Sequence, residues 1–407
     1  MAVAVRLVAA IVLTTALNQI PDRHFLIEGD AEGYWILAGH ISRGEDFALY
    51  EPPRYVMRMP GFSAVLAGSI LVFGDSLLAA RCLLAILTSL AVFPVVWMTD
   101  HVAGRRAGTI SGLLVALMPT FIGFSVTILS ECLFATVISW NIWALFRWVE
   151  SRENWRNVLV WGAISGLLAA LAVYIRPSWL LFPPLVLPLC LTWGRSLAPR
   201  CLLSGLLMQI VMVAALIPWG IRNQQVTGHF VLTTLWMGPS LYDGLHPGAT
   251  GDSDMTFFET DRVLERMSEF EMNRYYKELG FQFVRENPGR AVELGLIKLK
   301  RYWSLLPNAS QFQQPLIKLA VGGTNLVLLL FAAWGIWEKR VPWRFVFLCT
   351  LPIVYFSLLH MLFVSSLRYR LPAEYPLCVL SAVGICQLLS ICCGKRTDCR
   401  SEIAESS

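Results

Sequence analysis

The chain has 407 residues, 56% hydrophobic and only 15% charged, with a formal net charge of +5 and a mean hydropathy of +0.58. A soluble domain carries about 25% charged residues, so this composition excludes a water-soluble globular protein and requires apolar surface to be hidden in lipid. The basic residues sit in short clusters between apolar runs rather than in one stripe, which excludes a nucleic-acid-binding surface.

The 15 Trp and 11 Tyr suit a protein with two water–lipid boundaries, where amphipathic rings gather. The ten Cys fall in apolar runs or at their ends, so structural disulfides are not expected. Cys392, Cys393 and Cys399 have no accompanying His and read as apolar fillers, not as a metal site.

A spanning helix needs about 20 mostly apolar residues. That length predicts ten spans: 3–20, 77–99, 107–128, 132–149, 158–176, 178–194, 201–219, 316–337, 344–366 and 372–392. The first, with one Arg and a short apolar core, resembles a signal peptide, but the spans behind it argue for an uncleaved helix. Residues 60–74 are too short to span comfortably and are expected to dip in from one interface. The organisation is then a first helix at 1–20, an outer loop with juxtamembrane helices at 21–76, and helices 2–7 at 77–219. A long outer segment at 220–315, helices 8–10 at 316–392 and a cytoplasmic tail at 393–407 follow.

The basic clusters test this count. With both termini inside, Arg105 and Arg106, then Arg147, Arg152 and Arg156, then Arg195 and Arg200, then Lys339, Arg340 and Arg344, and finally Lys395, Arg396 and Arg400 all fall on the inner side. That is the asymmetry the positive-inside rule requires. The segment 220–315 is expected to open with a helix break at Pro218-Trp219, to continue through a Gly-rich ordered loop (237–254), and to carry a charged helical run over 256–286. Asn287-Pro288 ends that run. In 289–305, Val292, Leu296, Leu299 and Trp303 share one face, flanked by Lys298, Lys300 and Arg301, as in a helix lying on the membrane surface.

Chemistry concentrates in the stretch from Asp30 to Phe62. Asp30 and Glu32 are carboxylates at the outer boundary, able to accept a proton or hold a cation. The plain reading of either is a solvated loop acid. Tyr34, Trp35 and Ala38 follow Asp30 at helical spacing and would fix it at a helix N-terminus. Two residues apart in extended chain the two acids would face opposite ways, so one of them should dominate. Glu131 is an acid in a run of about 40 nearly uncharged residues, where an ionisable group is costly and usually faces a cavity or partner; an exposed position at a helix turn is the plain alternative. Arg58, Arg176, Arg222, Arg368 and Arg370 each sit at the outer end of a span. One such arginine would snorkel to the interface; five together point to a pocket for an anionic headgroup. His246 lies in the Gly-rich loop and could act as a ligand or proton carrier, although a lone loop His is usually neither. A transporter or flippase of a lipid-linked anion would use the same arginines. It should also show charged or broken helices at mid-membrane, whereas these spans are almost uncharged there.

The ordered motifs resemble the GT-C glycosyltransferases that use polyprenyl-phosphate sugars, and within them the bacterial group related to protein O-mannosyltransferases and lipid A aminoarabinose transferases. The matching elements are Asp30-x-x-x-Tyr34-x-x-x-Ala38 with Gly44, Arg58-x-Pro60-Gly61-Phe62, Phe73-Gly74-Asp75-Ser76, Ala79-Ala80-Arg81 and Leu129-Ser130-Glu131. Arg176-Pro177, Pro218-Trp219-x-x-Arg222-Asn223, Asn287-Pro288-Gly289 and Arg368-Tyr369-Arg370-Leu371-Pro372 complete the set. The resemblance implies an all-α polytopic fold and transfer of a sugar from a lipid-phosphate donor, with inversion, to a protein, glycolipid or polysaccharide acceptor. It implies an outer-face site in a bacterial inner membrane, with Asp30 as base. Glu32 would stand as its acidic neighbour, although Ala31 separates a pair that is adjacent in many relatives. Tyr34, Arg58, Glu131, Arg176, Arg222, His246, Arg368, Tyr369 and Arg370 would serve the substrate. Metal dependence differs among relatives, so the resemblance neither requires nor forbids a divalent cation. The large soluble C-terminal domain of some relatives is not expected.

Overall fold

The computed structural model describes residues 1–194, 196–339 and 341–392. Arg195 and Arg340 of the basic clusters, and the expected tail 393–407 with Cys393, Lys395, Arg396, Cys399 and Arg400, lie outside the described residues. Helix α1 (Ala2–Leu17) is followed by α2 (Asp30–Arg43), α3 (Pro60–Phe73), α4 (Leu77–Ser89), α5 (Val92–Leu117) and α6 (Pro119–Val126). Then come α7 (Ser130–Glu150), α8 (Trp155–Ile175) and α9 (Ala198–Thr227). The long segment holds α10 (Met237–Gly244), α11 (Thr256–Thr260), α12 (Val263–Arg266), α13 (Glu269–Glu286) and α14 (Pro288–Tyr302). Helices α15 (Pro315–Trp337), α16 (Trp343–Leu362) and α17 (Leu371–Cys392) close the described chain.

Seven segments among the described residues are long and apolar enough to cross a membrane. One of them, Leu77–Leu117, has non-helical geometry at Gly104 (φ 79°, ψ 169°). A Cβ on Gly108 would lie 3.2 Å from Asp100 Cβ, and one on Gly112 would lie 2.8 Å from Val96 Cγ2. Residues eight and sixteen apart would be about 12 and 24 Å apart along a straight helix. The chain therefore reverses at Gly104 between the predicted 77–99 and 107–128, but the second is not one helix: α5 stops at Leu117, Met118 is extended and α6 starts at Pro119. Ala2–Leu17, Pro60–Phe73 and Pro177–Thr192 are shorter apolar helices. The 14 residues of α3 rise about 21 Å, too short for a hydrocarbon core of about 30 Å.

Four expectations change. The predicted span 178–194 is a chain of 3-10 turns, Pro177–Trp179 and Pro183–Trp193, because Pro183, Pro184 and Pro188 remove successive backbone donors. The predicted break at Pro218 is absent: α9 runs through it to Thr227 and stops at Gly228 in the left-handed region (φ 76°). The turn past Pro218 is tied from outside, since Trp219 Nε1 donates to Thr233 O (2.9 Å) and Asn223 Nδ2 to Val231 O (2.7 Å). The charged run predicted at 256–286 is three helices, the last begun by a Ser268/Glu271 capping box. Asn287 ends it and Pro288 opens α14. Along α14, Val292, Leu296 and Trp303 are exposed as an apolar face, but Lys298 turns inward.

Helix α17 is the axis. It packs against α5, α7, α15 and α16, and residues 371–384 are all buried. Its contact with α15 is backbone to backbone. A Cβ on Gly335 would stand 2.2 Å from Leu380 O, and one on Gly384 2.2 Å from Phe331 O. Small residues let membrane helices approach this closely. At the head of α17, Arg370 and Glu374 form a fully buried ion pair (2.6 Å), and Arg370 Nη1 also donates to Tyr302 O (3.1 Å) and Ser304 O (2.9 Å).

Two outcomes follow for the full chain in detergent. Gly335→Val forces α15 from α17 and lowers stability by about 1–3 kcal/mol, read as a fall in Tm. Gly323→Val, on the same helix with nothing within 4 Å, leaves Tm unchanged. Arg370→Met strands the Glu374 charge and costs about 3–5 kcal/mol, whereas Arg370→Met combined with Glu374→Leu recovers most of that loss.

Candidate active site

Five separate pieces of chain deliver their side chains to one end of the bundle. Gly29 (φ 71°) turns the chain into α2, placing Asp30 in its first turn, where the helix dipole favours an anion. Arg58 precedes the N-terminal proline of α3. A Cβ on Gly61 would sit 2.6 Å from Tyr174 O, so only glycine lets the start of α3 close on the end of α8. Ser130 and Glu131 open α7, and Arg176 ends α8. Arg368 and Tyr369 lie in the 3-10 turn Leu367–Arg370 between α16 and α17.

The resulting geometry is a chain of ion pairs. Arg58 Nη2 donates to Asp30 Oδ1 (3.0 Å) and Arg368 Nη2 to Asp30 Oδ2 (3.1 Å). Arg176 Nη1 lies 2.8 Å from Glu131 Oε1, and Arg368 Nε lies 3.5 Å from the same oxygen. Glu131 Oε2 is buried without a hydrogen-bond partner among the described residues. Aromatic faces hold the guanidiniums: Arg58 over Tyr34 (4.3 Å), and Arg368 and Arg176 over Tyr369 (4.8 and 5.3 Å). Tyr369 Oη accepts from Arg368 Nη2 (2.8 Å). Three guanidiniums face two carboxylates, an excess of one positive charge. Burial alone would raise the Asp30 carboxyl, but the Arg58 and Arg368 guanidiniums, with Arg176 beyond them, hold it well below the usual carboxylate range.

The loop that carries Arg58 is pinned from outside. Leu49 and Arg54 pair across a tight turn. Arg54 Nη2 donates to Leu264 O (2.7 Å) and Met267 O (2.9 Å). Glu269 accepts the Tyr55 and Val56 N–H groups, both at 2.9 Å. Burial pushes the Glu269 carboxyl up, against the pull of those donors.

Asp30, Tyr34, Arg58, Glu131, Arg176, Arg368 and Tyr369 therefore meet, and four of the expected site residues do not. Glu32 is exposed and outside the cluster; the two acids part as helix neighbours, not as residues of extended chain. Arg222 donates to Tyr55 O (2.7 Å) and Phe47 O (3.2 Å), so it holds the loop instead of the anion pocket. Arg370 is committed to Glu374 and the carbonyls after α14. His246 packs between Tyr242 and Phe257 (5.4 and 5.9 Å), and its Nδ1 accepts from the Gly248 N–H (3.2 Å). Three arginines, not five, form the cluster.

Two neighbours were not singled out by sequence. Ser130 Oγ lies 3.2 Å from Tyr34 Oη and accepts from Arg176 Nη1 (3.4 Å). The His360 ring lies flat on Tyr369 (4.7 Å, 3°), with Nδ1 2.8 Å from Val364 O. An ionisable residue inside the apolar run of α16 was the signal for His360. Among the described residues no three His, Cys, Asp or Glu side chains converge. Both oxygens of Asp30 already face guanidiniums, so these residues suit an anion and do not fit a divalent cation.

A family model described as dolichyl-phosphate-mannose-protein mannosyltransferase matches residues 57–219, the part that supplies Arg58, Glu131 and Arg176. No curated protein matches. The archaeal oligosaccharyltransferase AglB from Archaeoglobus fulgidus, solved with an inhibitory peptide and a dolichol-phosphate, is 15% identical over 98% of this chain, with a TM-score of 0.52. The apo form of the Archaeoglobus fulgidus oligosaccharyltransferase gives 14% identity over 96% of this chain and a TM-score of 0.56. The chain spans 52% and 51% of those proteins, about half their length. ArnT from Cupriavidus metallidurans bound to undecaprenyl phosphate is 14% identical over 95% of this chain and 78% of its own, at a TM-score of 0.43. The chain thus shares the helical membrane fold of the archaeal oligosaccharyltransferase over nearly its whole length, and residues 57–219 resemble the mannosyltransferase family model.

Proposed function

We propose that the protein transfers one sugar from a polyprenyl-phosphate sugar to an acceptor at the end of the bundle that carries Asp30. The observation that carries this reading is the Asp30 carboxylate set among Arg58, Arg368 and Arg176, a proton acceptor beside an anion-binding group with one positive charge to spare. That excess matches the single negative charge of a phosphodiester donor. The GT-C fold and the dolichol-phosphate seen with AglB support a lipid-phosphate donor. Undecaprenyl phosphate is the carrier expected in a bacterial inner membrane.

In this mechanism the acceptor hydroxyl attacks the anomeric carbon from the face opposite the phosphate. The new O–C1 bond forms as the bond from C1 to the phosphate oxygen breaks, which inverts the configuration, and that oxygen leaves with the phosphate. The hydroxyl proton passes to Asp30. The leaving polyprenyl phosphate gains a negative charge, and the guanidiniums are placed to stabilise it as it develops. Glu131 and Tyr369 keep Arg176 and Arg368 in place, and Tyr34 supports Arg58. The opposite end of the bundle carries Arg105, Arg106, Arg147, Arg152, Arg156 and Arg200, which favours placing that end in the cytoplasm and Asp30 on the outer face.

The test is transfer from a panel of radiolabelled polyprenyl-phosphate sugars in membranes holding wild type, Asp30→Asn or Glu32→Gln. One donor gives labelled product; Asp30→Asn lowers the rate by a factor of about 10²–10⁴, and Glu32→Gln leaves it unchanged. Full activity in Asp30→Asn moves the base to another residue, Glu131 first. No product with any donor, together with movement of labelled lipid across the bilayer, replaces the enzyme with a transporter.

A further inference from the structure

Resting on the reading that the donor is a lipid phosphate, we propose that Asp30 occupies the seat that the donor's phosphate takes between Arg58 and Arg368. The donor's phosphate must then displace the Asp30 carboxylate from Arg58 and Arg368. The same exchange that binds the donor frees the base.

Four observations carry this. First, the match of shape. One oxygen of Asp30 takes Arg58 Nη2 and the other takes Arg368 Nη2, at 3.0 and 3.1 Å. The two non-bridging oxygens of a phosphodiester, on one central atom, would bridge the same two donors. Second, the arginines have other anchors and would stay when Asp30 leaves. Arg58 rests on the Tyr34 ring, and Arg368 is held by Glu131 and by the ring and hydroxyl of Tyr369. Third, Asp30 is the member free to move. Its side chain is 41% exposed against 15% for Arg58 and 19% for Arg368, and nothing lies within 4 Å of a Cβ on the preceding Gly29. Fourth, an Asp30 with a guanidinium on each oxygen is a poor proton acceptor, so this arrangement is not the reactive one. Exchange couples the two events: acceptor deprotonation waits for the donor, and binding is ordered with the donor first.

The coupling makes a prediction opposite to that for an ordinary binding residue. An internal anion competes with the ligand, so removing its charge tightens binding. The full-length protein in lipid nanodiscs is titrated with undecaprenyl phosphate, and Kd is measured for wild type, Asp30→Asn, Glu32→Gln and Arg368→Ala. Asp30→Asn binds about tenfold tighter than wild type, about 1.4 kcal/mol, although it has lost transfer activity. Glu32→Gln, which removes the same charge two residues away, binds as wild type does, and Arg368→Ala binds more weakly. Asp30→Asn binding equal to or weaker than a wild type that does bind overturns the exchange and leaves the donor reading standing. Equal tightening in Glu32→Gln also overturns it, since the effect is then general charge and not occupancy of the seat. Failure of both wild type and Asp30→Asn to bind overturns the donor reading and the exchange with it.

Discussion

In a chain this apolar, each buried cation must find its counter-charge or its carbonyls within the protein, because lipid offers neither. The structure meets that constraint in several places. Arg6 Nη2 donates to Val115 O (3.0 Å), and Arg81 donates to Thr14 Oγ1 (2.9 Å) and His24 O (2.7 Å). Arg370 is neutralised by Glu374. The three arginines around Asp30 and Glu131 differ in being gathered at one place: they share two carboxylates, so the cluster carries one positive charge in excess. The buried Arg370–Glu374 pair is balanced one to one, whereas this cluster has one guanidinium more than its carboxylates. That contrast is the physical ground for treating it as a site.

The cluster would be worthless if its arginines wandered, and the long segment between α9 and α15 is what holds them. On the Arg58 side, Glu269 takes two backbone N–H groups of the loop, Arg222 takes two of its carbonyls, and Arg54 reaches back to Leu264 and Met267. On the Arg368 side, Lys298 donates to Leu362 O (2.8 Å) and Gly244 O (3.0 Å), and Arg301 donates to Ser365 O (3.2 Å). Asn308 Oδ1 accepts the Leu367 N–H (2.8 Å). Both sides of the cluster are thus fixed through backbone groups by this polar segment together with Arg222 at the end of α9. Burial lowers the Lys298 ammonium to about 8, partly opposed by Asp243, which is the cost of using a buried lysine as a brace.

Much of this was legible in the sequence, and what was not has physical causes. The length of the apolar runs and the basic clusters gave the helical membrane class, the two arms around Gly104, and the short α3. Proline misled in both directions. At Pro183, Pro184 and Pro188 local chemistry won and an apolar run became 3-10 turns. At Pro218 tertiary ties won and the helix continued. The outer arginines could not be sorted, because Arg58, Arg176, Arg222, Arg368 and Arg370 share the same residue type and the same depth. What separates them is the partner, and most partners come from distant sequence: Tyr55 for Arg222, Asp30 for Arg58 and Arg368, and Tyr302 for Arg370 beside its near neighbour Glu374. Lys298 was misjudged for a related reason. One helical turn of α14 is polar on both edges, and only the position of Leu362 shows which edge faces in.

The two carboxylates of the cluster have the same charge and nearly the same neighbours, so access must divide their work. Glu131 is 2% exposed, and one of its oxygens serves two guanidiniums. Moving it would strand Arg176 and Arg368 in an apolar setting, a cost of several kcal/mol per ion. It is therefore a fixture. Asp30 sits on a helix end, with its tip open to water and its partners anchored elsewhere. It can swing away without leaving a buried charge unpaired, provided another anion arrives as it goes. A carboxylate that can leave only when replaced is coupled to its replacement. Under the exchange proposed above, charge balance at the membrane boundary would make proton transfer wait for the donor without a moving domain.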